Sequence, residues 1–234
     1  MEIEKNDIVA KVYSHPAEVA SRLRSLDLRL DALREAIRFG MGYAAEYTEN
    51  DPSAAKGIMT WAKVNRGLRD SLRPQEWYRD DAHNYARTVH PDKKWAIAVS
   101  AGDYNTGNPN QTPASKGQKG PITHHVVAVN QLQLDFWEMV PDWDRRSADV
   151  CTWILLYHGI HDPHTVRAEL SLPEGLNDDG RITVWRERII LAVFDERTFE
   201  GDVLPKGNVP SAPIDVPVEL KRTNVDDSIG IQSS

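Results

Sequence analysis

Near Pro74 the spacing of apolar residues changes, and that change constrains the fold of this 234-residue chain more than any other feature. Before it, apolar side chains recur every three or four positions, as on one face of a helix; after it they alternate, as on a strand. Val19, Leu23, Leu26, Leu30, Leu33 and Ile37 follow a 4-3-4-3-4 spacing behind a start signal at Ser14 and Pro16. That is the a/d seam of a coiled coil, expected to bury against the next helix or, as a homodimer, against its own copy. Asp51-Pro52 opens a second helix expected to end near Leu72.

Beyond Pro74, Asn84 to His90 and Trp95 to Ser100 flank Pro91-Asp92-Lys93-Lys94 and predict a β-hairpin. Residues 101–121 are rich in Gly, Pro, Asn, Ser and Thr and predict a long loop, of the kind that is functional or disordered. Thr123 caps a third helix carrying Val126, Val127, Val129, Leu132, Leu134 and Phe136 to about Met139. Cys151 to Tyr157, Val166 to Leu172 and Arg181 to Val193 then predict an antiparallel meander turning at Asn177-Asp178-Asp179-Gly180. The fold class expected is α+β: N-terminal helices, a hairpin, a third helix and a C-terminal meander. One domain is expected over 1–195, helical over about 14–73 and sheet-containing over about 77–195, followed by an extended or disordered tail over 196–234.

Apolar residues at 40% and charged residues at 27% suit an ordinary globular chain. The single cysteine, Cys151, excludes an intramolecular disulfide and multi-cysteine zinc sites. The N-terminus is too acidic for a signal peptide and no apolar run is long enough for a membrane helix, so a cytoplasmic protein with no membrane partner is expected. The net charge of −7 argues against nucleic acid at first sight, but the segment from Asp195 onward carries eight acids against four bases. The body before it has room for basic patches.

Two sets of cations stand out. On the second helix, at about 100° per residue, Ile58, Trp61, Val64, Leu68 and Leu72 share one side, and Lys63, Arg66, Arg69 and Arg73 share the opposite one. Such a face suits a phosphate backbone or an acidic protein partner. In the long loop, Ser115-Lys116-Gly117-Gln118-Lys119-Gly120 sets two cations on a glycine-rich backbone able to wrap a phosphate. In the meander, Arg167, Arg181, Arg186 and Arg188 alternate with Glu169 and Glu187, as cross-strand ion pairs do.

Signs of enzymatic chemistry are weaker. His158, His161 and His164 are spaced for a turn that converges on a metal, but Gly159 and Pro163 interrupt the run. Ala98-Val99-Ser100-Ala101-Gly102 resembles a nucleophile elbow without the helix that the elbow needs after its serine. Gly102 and Gly107 have P-loop spacing, but Asn108-Pro109 stands where Lys and Ser or Thr are required. No cofactor is therefore expected. The expectation is a non-catalytic binding or accessory protein, associated with nucleic acid through the basic helix face and the Gly/Lys loop. A small metal-dependent hydrolase built on the histidines is the alternative.

Overall fold

Two backbone events divide the N-terminal third into three helices. The computed structural model describes residues 9–136, 150–159, 165–191 and 194–195. After a three-residue strand β1 (Lys11–Tyr13), helix α1 spans Pro16–Arg24 and helix α2 spans Leu30–Ala44. Between them Asp27 takes φ 56°, a left-handed conformation that no helix passes through. The expected single seam helix is therefore broken, and its two halves fold onto one core. Val19, Leu23, Leu26, Leu33 and Ile37 are all fully buried there, with Leu30 packed at the margin. The face assigned to a homodimer is occupied by the chain's own interior.

Helix α3 (Ala55–Leu72) begins later than Asp51 predicts. Asp51 instead closes the preceding turn, its Oδ2 accepting from the Thr48 N–H at 2.8 Å. Helices α2 and α3 lie against each other through small residues. A Cβ added at Gly67 would come within 3.0 Å of the Ala36 backbone, and one at Gly40 would overlap the Val64 side chain. The α3 face that meets α2 buries Val64, Leu68 and Leu72, whereas Ile58 and Trp61, expected on that face, are 60% and 38% exposed. They lie in the first two turns of α3.

A 3₁₀ turn at Arg73–Gln75 carries the chain into β2 (Tyr78–Asp80), β3 (Arg87–Val89) and β4 (Trp95–Ala101). The hairpin expectation holds for β3 and β4, which pair antiparallel. After helix α4 (Pro121–Phe136) come β5 (Cys151–Gly159), β6 (Thr165–Leu176), β7 (Ile182–Ile190) and the two-residue β8 (Phe194–Asp195). β5, β6 and β7 form the expected antiparallel meander. One mixed sheet joins everything, in the order β1-β7-β6-β5-β4-β3-β2, with β8 beside β6. Two of its junctions are parallel: β4 with β5 over seven register pairs, and β1 with β7. The hairpin and the meander are thus halves of one sheet, and β4–α4–β5 is a βαβ unit that hairpin-level patterning does not disclose.

Alternation along the strands gives the sheet two working faces. Ile97, Val99, Trp153, Leu155, Tyr157, Leu170 and Ile189 face α1, α2 and α3 in the main core. Ala98, Ile154, Leu156, Ile182 and Trp185 face the other way. That second face is covered by α4 and by the stretch 102–120, which the sequence predicts as a loop. Residues Gly102–Gly120 have no regular structure of their own beyond a bridge between Gly102 and Ser115, but they are bound down at many points. Arg188 donates to the carbonyls of Asn108 and Gln111 at 3.0 and 2.9 Å, and Trp185 Nε1 donates to Pro113 O at 2.8 Å. Glu169 accepts the Gly107 N–H at 2.8 Å. α4 is pinned by the buried Asn130, whose amide donates to Thr152 O and accepts from Thr152 N, both at 2.9 Å.

All these elements lie in the unit Met1–Thr198; the chain divides there from Phe199–Ser234. The tail expected over 196–234 falls outside the described residues. Among the described residues no helix is long and apolar enough to cross a membrane.

Candidate functional site

Helix α3 borders two clefts, one at each end. The C-terminal cleft is about 470 Å³ and is lined by Asn65, Arg66, Arg69, Arg73, Trp77 and Arg79, with Ala62 and Asp70. Three of the four cations assigned to the basic helix face therefore meet here, and Arg79 of β2 joins them. They are unequal. Arg66 pairs with Asp70 at 3.4 Å and lies 5.6 Å over the Phe39 ring. Arg69 pairs with Asp81 and donates to Arg87 O at 3.3 Å. Arg73 and Arg79 are exposed and have no acidic partner among the described residues. Lys63, the fourth cation, sits apart, 4.1 Å over the ring of Tyr43 on α2.

The wall of this cleft also holds polar atoms without partners. Asn65 and Trp77 are 4% and 5% exposed, and among the described residues Asn65 Oδ1, Trp77 Nε1 and Arg69 Nε have no hydrogen-bond partner. Buried donors and acceptors left unpaired each cost about 1–3 kcal/mol, and beside a cleft a water or a bound group can complete them.

The second cleft, about 770 Å³, opens beside the N-terminal half of α3. Its floor is the carboxyl ends of the parallel strands β4 and β5: Ser100, Ala101 and Gly102 from one, Tyr157, His158 and Gly159 from the other. Trp61 and Ile58 of α3 and Met41 of α2 form an apolar side, and Lys56, Lys116 and Lys119 also line it. Trp61 is held by its Nε1 donating to Val99 O at 3.1 Å, an acceptor left free because β3 stops short of Val99. Gly102 N–H donates to Tyr157 O at 3.0 Å, and a side chain at Gly102 would overlap Thr106.

The two loop lysines behave differently. Lys116 is exposed, and only its backbone N–H is committed, to Ala101 O at 2.9 Å. Lys119 is half-buried and its Nζ donates to Ser100 Oγ at 2.6 Å. No carboxylate accompanies it among the described residues, and burial pushes its pKa below the ordinary lysine value of 10.5. Ser100 itself is 7% exposed.

The structure thus separates the predicted cations into two groups. From Lys56 to Arg73 the α3 axis runs about 25 Å at 1.5 Å per residue, so the basic helix face and the Gly/Lys loop do not form one patch. Of the three histidines, His158 lines the second cleft with Nδ1 3.1 Å from Gly102 O. His161 and His164 lie outside the described residues, and among the described residues no cluster of His, Cys, Asp or Glu could hold a metal ion. Trp77, Asn65 and Arg79 went unmarked in the sequence. Asn65 lies on α3, Arg79 on β2 and Trp77 in the link just before β2, and only the fold brings them to one cleft. Compared with protein-family models, curated proteins and solved structures, the chain matches none of them.

Proposed function

We propose that this protein binds the phosphate backbone of nucleic acid through the arginine cleft between α3 and β2. The observation that carries the reading is the coincidence of four arginines with three unpaired buried polar atoms in one wall. Guanidiniums match phosphate oxygens in a bidentate fork, and Arg73 and Arg79 bring this geometry with no acid among the described residues to compete for it. Arg66 and Arg69 are already shared with Asp70 and Asp81, so they contribute field more than contacts. A backbone ligand needs no base-reading element, which suits a cleft made from one helix face and a three-residue strand.

Binding of random single- and double-stranded oligonucleotides over a salt series tests this. Each cation meeting a phosphate contributes ~0.7–0.9 to the slope of log affinity against log salt. Arg73→Glu with Arg79→Glu should weaken binding to every sequence and flatten the slope by roughly 1.4–1.8. Both side chains are exposed, so the fold survives the change. An absence of binding at low salt, or an unchanged slope in the double variant, rejects the reading and leaves an acidic protein surface as the candidate ligand.

A further inference from the structure

We propose that Ser100 and Lys119 form a nucleophile and general-base pair, and that the second cleft hydrolyses carboxylic esters or amides with an apolar acyl part. The proposal is independent of the arginine cleft, which shares no residue with this one. Four observations on separate parts of the chain converge on it.

The first is the contact itself: Nζ and Oγ are 2.6 Å apart, within the reach a base needs to take a hydroxyl proton. The second is what Lys119 lacks. A half-buried ammonium ordinarily sits beside a carboxylate, and the acids of this neighbourhood are engaged elsewhere: Asp103 accepts from the Ala114 and Asn105 amides, and Glu169 holds Arg188. A lysine kept out of water without a counter-charge is one that surrenders its proton readily, which is how lysine serves as a base near neutral pH. The third is topology. Ligands in α/β sheets bind beyond the carboxyl ends of parallel strands, and Ser100 lies at that end of the β4–β5 pair. The fourth is access: Ser100 and Lys119 both line an open cleft that the apolar side chains of Trp61, Ile58 and Met41 also line. The helix that a nucleophile elbow requires is absent after Ser100, but serine–lysine pairs are a separate solution and do not use it.

The step balances within the pair and water. With Lys119 neutral, its lone pair takes the Ser100 proton as Oγ bonds to the carbonyl carbon, and the carbonyl π pair moves onto oxygen. Collapse of that adduct re-forms the carbonyl and breaks the bond to the leaving group, which departs with the electron pair and takes the proton from the Lys119 ammonium. Water then attacks the acyl-serine with Lys119 again as base, releasing the acid and restoring Ser100.

The test uses the full chain and an alkyl fluorophosphonate, from which the serine oxygen displaces fluoride, with peptide mass mapping to locate the adduct. Ser100 should be labelled at a rate that rises with pH along a midpoint below 10.5, and Ser100→Ala should abolish the adduct. Lys119→Met and Lys119→Arg should each slow labelling by about 10²-fold or more, since neither variant side chain accepts a proton. Hydrolysis of p-nitrophenyl butyrate should fall in parallel. Lys119→Met should also melt no lower than the wild type, because it removes a buried unpaired charge; a purely structural lysine would show the opposite. Absence of a Ser100 adduct, or an adduct that forms equally fast in Lys119→Arg, overturns the proposal. Lys119→Arg keeps the charge and the donor, so it decides the matter if the methionine variant does not fold.

Discussion

The ion pair of Arg188 with Glu169 is the residue-scale feature that ties the 102–120 stretch to the second face of the sheet. Both side chains are essentially inaccessible, at 2% and 0%, and they join at 2.6 and 3.0 Å. Ser171 Oγ gives Glu169 a third bond at 2.7 Å, and the Gly107 amide a fourth. The remaining donors of Arg188 reach into the 102–120 stretch. Removing one partner of a buried pair costs about 3–5 kcal/mol, because the other charge is left in the interior. Glu169→Gln should therefore lower the melting temperature by roughly 10 °C, at about 2–4 °C per kcal/mol for a domain of this size. It should also expose the 102–120 stretch to limited proteolysis before the strands; resistance equal to the wild type would show that the pair does not hold it. The sequence marks these residues as cross-strand pairs, and that part was legible. Which acid meets which base was not: Arg186 pairs with Glu174 and Arg22 of α1 takes Glu187. Alternating signs say that pairing occurs; register and the third dimension decide the partners.

At the scale of elements, the helical period, the hairpin and the meander were legible because each is encoded by its own few residues. What escaped was whatever depends on distant chain. β1 and β2 are three residues long and exist only because β7 and β3 offer free edges. The break at Asp27 was hidden because the apolar spacing continues across it: Leu26 and Leu28 turn into the same core that α1 and α2 reach from either side. For the glycines of the α2–α3 pair, position separates two cases. Gly42 is exposed with no atom near a would-be Cβ, so Gly42→Ala should stabilise by about 0.5–1 kcal/mol through lost unfolded-state freedom. Gly67 touches the Ala36 backbone, and Gly67→Val should push the helices apart at a cost of about 1–3 kcal/mol. Thermal melts of the two variants should move in opposite directions; a shared direction would mean that the α2–α3 contact is looser than the geometry shows.

For the molecule as a whole, the parallel junction of β4 with β5 places the strand ends that line the second cleft, and it was the least legible feature of all. A local pattern cannot reveal that the strand before a long loop and the strand after a helix are neighbours, so Ser100, Lys119 and Tyr157 had no visible connection. The same junction buries groups that must remain neutral, and this gives the fold an alkaline limit. Burial pushes the Cys151 thiol up to about 12 from 9.0 and the Tyr85 hydroxyl up to about 12 from 10.0; the Tyr157 hydroxyl is raised by the same cause. Each of these pKa values is higher folded than unfolded, so the folded chain retains protons that the unfolded chain gives up. The stabilisation is intact below about pH 9 and is lost as pH climbs from 9 toward 12, first through Cys151 and then through the tyrosines. Each group adds a slope of up to about 1.36 kcal/mol per pH unit while the unfolded form alone is ionised. Lys119 acts with the opposite sign: its pKa is lowered by folding, so below 10.5 rising pH relieves the cost of its buried charge. One lysine against three acids cannot reverse the trend. The melting temperature should hold or rise slightly up to about pH 9, where Lys119 acts alone, and then fall, with Cys151→Ala delaying the onset by about one unit, to where the tyrosines begin to ionise in the unfolded chain. Thiol titration with Ellman's reagent gives the independent check: the folded protein should be silent at pH 8 and yield one equivalent in denaturant. A thiol that reacts in the folded state would place Cys151 in contact with solvent and remove the first part of the alkaline limit.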